Sequence, residues 1–146
     1  MIIARYEIMT FDLKIFDTNT PAENGADLHL KHPLTGEAVY ADDKNKKPVT
    51  IKLKGTDSDE YKKIIQRAVR NKQAKKQSSD NPDFDEMKQV AAETYAKMTI
   101  SWQNISVNGE DLECNYENAV KLYLGYAEIT KQVGDFMADR RNFIKG

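Results

Sequence analysis

Val49-Thr50-Ile51-Lys52-Leu53-Lys54-Gly55-Thr56-Asp57-Ser58-Asp59-Glu60-Tyr61 is the stretch on which the fold turns, because the spacing of its apolar residues changes partway through. Val49, Ile51 and Leu53 stand two apart, the period of one face of a strand. After Gly55 the apolar residues Tyr61, Ile64, Ile65, Ala68 and Val69 recur at helical spacing. Thr56, Asp57 and Ser58 offer cap oxygens between the two regimes, and Asp57 with Glu60 three residues on is a variant of the capping box.

Upstream, the two-residue period continues. Phe11, Leu13 and Ile15 alternate with Asp12 and Lys14, and Leu28 and Leu30 flank His29. Turn-forming residues separate these runs at Pro21 to Gly25, at His32-Pro33-Leu34-Thr35-Gly36 and at Asp42-Asp43-Lys44-Asn45. The pattern predicts a small antiparallel sheet, with Pro33 and Pro48 at strand ends where a missing N–H is tolerated.

Downstream the chain reads as helical. Pro82 suits a first helical position after an Asp or Asn cap. Phe84, Met87, Ala91, Thr94, Met98, Trp102 and Ile105 then repeat in steps of three and four, predicting a helix of about six turns. Asn108-Gly109 is a strong turn pair and predicts a short hairpin near 105–114. Asn115 caps the next helix, with Tyr116, Ala119, Val120, Tyr123 and Leu124 as its apolar face and Gly125 at its end. A last helix carries Ile129, Val133, Phe136, Met137 and Phe143 on one side.

The fold class is therefore α+β. A β-rich part over 1–55 precedes a part of about four helices over 56–146, within one domain, and the polar, basic stretch 72–81 is the one place that reads as a connection. A chain of 146 residues buries enough surface for a core without disulfides or metals. Its single cysteine forms no internal disulfide, which fits a reducing compartment. The start Met1-Ile2-Ile3-Ala4-Arg5 is soon broken by charge, so neither a signal peptide nor a membrane span is expected.

Charged residues make up 31% of the chain and nearly cancel, leaving a net charge of -1. A dedicated nucleic-acid binder is usually clearly basic, so that class is disfavoured. The cations from Arg67 to Lys76 are the best case for phosphate contact, but no aromatic residue is interleaved for base stacking and an acidic cluster follows. They read as a solvated helix end or an interface strip.

Catalytic and metal chemistry find little support. His29 and His32 are three apart in a strand-then-turn segment, and no cysteine pair or His/Glu cluster completes a ligand set. Cys114 precedes a helix N-terminus, where a dipole lowers a thiol pKa, yet no base is close in sequence. It reads as a small half-buried hairpin residue. The carboxylates sit at caps and turns, and the glycines at 25, 36, 55 and 109 are isolated rather than part of a phosphate loop. The expectation is a non-enzymatic chain with no catalytic residue, metal or cofactor.

Three stretches carry a resemblance: Leu28-His29-Leu30-Lys31-His32-Pro33-Leu34-Thr35-Gly36 with Pro48-Val49-Thr50-Ile51; Lys54-Gly55-Thr56-Asp57-Ser58-Asp59-Glu60-Tyr61; and Trp102-Gln103-Asn104-Ile105 through Gly109, Cys114, Glu117-Asn118-Ala119 and Asp139-Arg140-Arg141-Asn142-Phe143. Together they make the chain resemble the tail assembly chaperones of long, non-contractile-tailed phages. The stretch from Lys72 to Asn81 matches no motif of that family.

The resemblance implies a protein of the host cell cytoplasm, absent from the mature virion, that coats the tape measure protein and keeps it soluble during tail morphogenesis. It also implies a homo-oligomer. In such a family a frameshifted extension recruits tail tube protein, and a chain ending at Lys145-Gly146 reads as the unshifted product. The residues expected to grip a partner or a second copy are Trp102, Tyr116, Tyr123, Phe136, Met137 and Phe143 (for Trp102 and its helical seam, core is the default). The rival readings are a structural tail, terminator or head–tail connector protein, which would persist in the particle, and a small nucleic-acid-binding regulator.

Overall fold

The computed structural model describes residues 10–74 and 83–144, with side chains of 72–74 left aside. Its order is a 3-10 turn (Leu13–Phe16), α1 (Asn19–Asn24), β1 (Ala26–His29), β2 (Thr50–Leu53), α2 (Asp59–Ala74), α3 (Phe84–Met98), β3 (Thr99–Gln103), β4 (Ser106–Val107), β5 (Glu110–Asp111), α4 (Tyr116–Gly125), α5 (Ala127–Ala138) and a second 3-10 turn (Arg140–Asn142). The class is α+β. Lys75, Lys76, the break at Ser78 to Asn81 and the start at Pro82 lie outside the described residues.

The sheet has the order β1-β2-β3, antiparallel throughout. Ile51 sits opposite Leu28 on one side and Trp102 on the other, and all three side chains are buried. Leu53 and Val49 extend the same inward row, as their two-residue spacing requires. Beyond β1 the chain reverses tightly through 32–37, where His32 N–H donates to the Glu37 carbonyl at 2.8 Å and Gly36 N–H to the His32 carbonyl at 2.9 Å.

The third strand corrects the sequence reading. Thr99 to Gln103 is strand rather than the last turns of a six-turn helix, and α3 passes into it at Met98–Thr99 with no intervening loop. The register runs Lys52 opposite Ser101 and then Leu53 opposite Thr99, so Ile100 is the extra residue of a bulge. The sheet thus borrows its third strand from between the helices and is not confined to 1–55.

Two further expectations change at the N-terminus. Phe11, Leu13 and Ile15 form no strand; they lie in and around the first 3-10 turn, mostly exposed. Pro21 to Gly25 is no simple turn either, because Asn19–Asn24 is helical and ends at Gly25, whose φ of 86° opens the path into β1. Glu23 on α1 takes over the role assigned to an Asp57–Glu60 box: its carboxylate accepts from the backbone N–H groups of Asp59 and Glu60. Ser58, fully buried, accepts from Tyr61 N–H at 3.2 Å and is the local cap.

The helical layer closes over the sheet. Asp83 caps α3 by accepting from Glu86 N–H at 2.7 Å. The hairpin forms as the Asn-Gly pair predicts, with both turn residues at positive φ (53° at Asn108, 82° at Gly109). Asn115 caps α4 by accepting from Asn118 N–H at 2.8 Å. We expect Asn115→Ala to cost about 1 kcal/mol of unfolding free energy, read by urea titration of Trp102 fluorescence; a change within error would mean water replaces the cap.

The buried face of α4 is Ala119, Leu122 and Tyr123, while Tyr116 and Leu124 are exposed. In α5, Val133 and Met137 point inward. Gln132 meets the backbone of Lys31 twice, accepting from its N–H and donating to its carbonyl, both at 2.9 Å. The last helix ends at Ala138, so Phe143 is not on it; the second 3-10 turn folds Phe143 back into the body at 8% exposure. One hydrophobic cluster draws Leu28, Ile51, Leu53, Ile64, Met98, Leu122 and Met137 from both parts of the chain.

Candidate functional site

Five of the six residues expected to form a gripping surface are packed inside or against the core. Trp102 is 9% exposed, and its indole N–H donates to the Leu112 carbonyl at 2.7 Å. Tyr123 is 3% exposed and Met137 2%. Phe143 meets the half-buried Phe136 edge to face at 5.5 Å between ring centres. Tyr116 alone stands out, at 46% exposure. Trp102, Tyr123, Met137 and Phe143 are therefore core residues and Phe136 half-buried, so of the expected face only Tyr116 is free to meet a partner. Helical spacing finds the apolar side of an element but does not tell core from interface.

The Tyr123 phenol is built into that interior. Thr99 Oγ1 donates to the Tyr95 carbonyl at 2.7 Å, so it accepts from the Tyr123 hydroxyl at 2.6 Å. Burial pushes the Tyr123 pKa up to about 12, because the phenolate would lose its hydration. Burial likewise raises the Cys114 thiol rather than lowering it, which removes the dipole-activated thiolate considered from sequence.

Two ion pairs stand near the C-terminal 3-10 turn. The Arg140 guanidinium binds Asp57 through two bonds of 2.6 and 3.1 Å and holds its carboxyl below the usual range. Asp139 is bound by Arg141 at 2.8 Å. These pairs border a solvent-open depression lined also by Thr56, Asp135 and Ala138. His29 Nε2 lies 2.8 Å from the Val39 carbonyl, and His32 Nδ1 accepts from Leu34 N–H at 3.1 Å. Each histidine thus serves its own turn or strand. Among the described residues no group of three or more His, Cys, Asp or Glu side chains is placed to share a metal ion, and no helix is long and apolar enough to cross a membrane.

Among the described residues, Leu34, Ile100, Leu124 and Tyr126 are exposed as well as Tyr116, but exposed apolar side chains follow one another closely in sequence in two other places. The first is the N-terminal strip, where Phe11, Leu13, Ile15 and Phe16 are 64%, 70%, 65% and 67% exposed. The rings of Phe11 and Phe16 are 5.8 Å apart, so the strip is one patch at its two ends. The second is the outer part of α2 and α3. There Ile65 and Val69 are about half exposed, and Phe84, Met87 and Val90 are 71%, 57% and 57% exposed.

Sequence reasoning missed both. The strip's alternation was taken for a buried strand face, and the α3 residues were placed on an inner seam. Four large apolar side chains in six positions next to a charge-rich body are too many to be scattered surface residues. No spacing signal separates either group from a core face, because both show the periods of buried elements. Compared with protein families, curated proteins and solved structures, the chain matches none.

Proposed function

We propose that the chain is a tail assembly chaperone of a long, non-contractile-tailed phage, acting in the host cell cytoplasm on the tape measure protein and absent from the finished particle. The observation that carries this reading is the exposed strip Phe11, Leu13, Ile15 and Phe16, joined to the resemblance in the three stretches named above. A protein that keeps an apolar helical polypeptide in solution needs uncovered apolar side chains on a body rich in hydrated charged groups. The strip supplies the first and the charged composition the second.

Burying one such side chain contributes about 1.5–3 kcal/mol. Four side chains on one copy give a weak site, and many copies along a client give avidity without tight individual binding. Weak single sites also explain how the coat yields: tube subunits polymerising along the client displace copies one at a time. The stretches that carry the resemblance then serve the scaffold. The turn after β1, the cap of α2 and the C-terminal 3-10 turn hold the body on which the strip is mounted.

Changing Phe11, Leu13, Ile15 and Phe16 together to serine should abolish co-purification of a co-expressed tape measure protein and move it to the insoluble fraction. Trp102 fluorescence and circular dichroism should stay unchanged, because none of the four is buried. Retained co-purification would remove the strip as the client site. Abundant peptides of this chain in purified particles would favour a structural tail or connector protein instead.

A further inference from the structure

The chain contains two Asn-Gly steps, Asn24-Gly25 and Asn108-Gly109. At such a step a carboxamide is most open to attack by its own backbone, because no side chain shields the next nitrogen. The fold treats the two differently. Asn24 closes α1, and the Gly25 N–H is committed to the Pro21 carbonyl at 3.1 Å. Gly25 is also wedged, with no room for a Cβ against the Leu53 carbonyl and the Ile100 side chain.

Asn108 and Gly109 stand exposed at the tip of the β4–β5 hairpin, where a Cβ on Gly109 would meet nothing within 4 Å. The hairpin rests on two residue pairs, Ser106 with Asp111 and Val107 with Glu110, so its turn opens at little cost. Other asparagines are less favourably placed. Side-chain hydrogen bonds hold Asn19, Asn104, Asn115, Asn118 and Asn142. Asn45 shares the positive φ but precedes Lys46, whose side chain crowds the nitrogen and whose N–H is bound by Asp42 at 3.0 Å.

We propose that Asn108 is a self-modifying site, converted by the chain's own backbone to aspartate and isoaspartate. The Gly109 nitrogen gives its proton to solvent base and attacks Asn108 Cγ. A C–N bond forms, the Cγ–Nδ2 bond breaks, and Nδ2 leaves as ammonia with a proton taken from water. One water molecule then opens the five-membered imide. Cleavage at Cγ leaves an aspartate at 108. Cleavage at the main-chain carbonyl leaves isoaspartate, with Gly109 joined through Cγ and one methylene added to the backbone.

Both products add a carboxylate beside Glu110, Asp111 and Glu113. Isoaspartate does more. A two-residue turn closed at φ 53° and 82° cannot hold an extra backbone atom, so Val107 and Glu110 lose their register. Next along, the Leu112 N–H donates to the Ile105 carbonyl at 3.0 Å, and the Leu112 carbonyl accepts from the Trp102 indole at 2.7 Å. A change at the tip is thereby passed to the cover of the indole. The inference rests on the chemistry of the turn and is independent of the chaperone reading.

The test is incubation of the folded full-length chain in mildly alkaline buffer, followed by mass spectrometry of the tryptic peptides 15–31 and 98–121. Fragmentation places each gain of one mass unit on its residue. Asn108 should convert at least about tenfold faster than Asn24. In urea the two should convert at similar rates, which assigns the difference to the fold. Gly109→Ala, shown to be folded by circular dichroism, should slow conversion at Asn108 at least about tenfold.

Trp102 emission should shift as isoaspartate accumulates, whereas Asn108→Asp adds charge without the methylene and should leave it in place. An Asn108 that matches or outlasts Asn24 in the folded chain overturns the proposal, since the turn would then protect its own asparagine. So does a Trp102 emission that does not distinguish the isoaspartyl form from Asn108→Asp.

Discussion

Gly25→Val is expected to destabilise the fold by about 3–5 kcal/mol, a large share of what a domain of this size has. Two effects add at this position. The backbone sits at φ 86° and ψ 168°, a region populated almost only by glycine, and a side chain there costs about 1–3 kcal/mol before it touches anything. The added Cβ would then lie 2.6 Å from Ile100 Cδ1 and 3.0 Å from the Leu53 carbonyl oxygen. The isoleucine tip can rotate away, being on a half-exposed bulge residue. The Leu53 oxygen belongs to the central strand and cannot.

Urea unfolding followed by Trp102 fluorescence should show the midpoint falling with an unchanged slope, since the same surface is exposed on unfolding. Gly109→Ala is the control. Gly109 has a positive φ of 82° but nothing within 4 Å of a new Cβ, so it should lose only the backbone part, about 1 kcal/mol. Equal losses at the two positions would refute the steric half of the argument.

The second large effect is a loss of stability in alkali that Tyr123 controls. Its phenol has a pKa of about 12 in the folded protein, against about 10 in an unfolded chain. Below pH 10 the group is neutral in both states and its contribution is fully present. As pH rises from 10 to 12 the unfolded state releases its proton first, and stability falls by about 1.4 kcal/mol per unit, or roughly 2–3 kcal/mol in all.

Tyr123→Phe should therefore reshape the curve rather than simply lower it. At neutral pH the variant loses about 1–2 kcal/mol with the hydrogen bond to Thr99. In alkali its profile should be flatter, and the two curves should converge. Some slope will remain, because burial also raises the Tyr95 and Tyr116 pKa values. Parallel curves up to pH 12 would show that the phenol is reached by water in the folded state.

What could be read in the chain beforehand follows from where local chemistry and tertiary packing agree. Val49, Ile51 and Leu53 keep strict alternation because one face of β2 meets the core. Asn108-Gly109 and Asn115 work through backbone geometry that no distant contact needs to supply. The strand β3 was hidden for two reasons. Met98 and Trp102 happen to continue the helical spacing of α3, and the bulge at Ile100 breaks the two-residue period that would have betrayed a strand.

The cap of α2 was misassigned for another reason. Its decisive carboxylate is Glu23, supplied from 36 residues upstream in a contact that sequence spacing does not encode. The candidate surface was the least legible part. Trp102, Tyr123, Met137 and Phe143 look the same in a helical wheel whether they face a partner or their own core. Tertiary packing decides: the pairing of β3 buries Trp102, the inward faces of α4 and α5 bury Tyr123 and Met137, and the closing turn at Arg140–Asn142 tucks Phe143 inward.

The direct passage from α3 into β3 at Met98–Thr99 has a mechanical consequence. With no slack between helix and strand, the outer end of α3 behaves as a lever whose fulcrum is the fully buried Met98. A displacement at Phe84 or Met87 is passed through Met98 to the β2–β3 ladder without a flexible joint to absorb it.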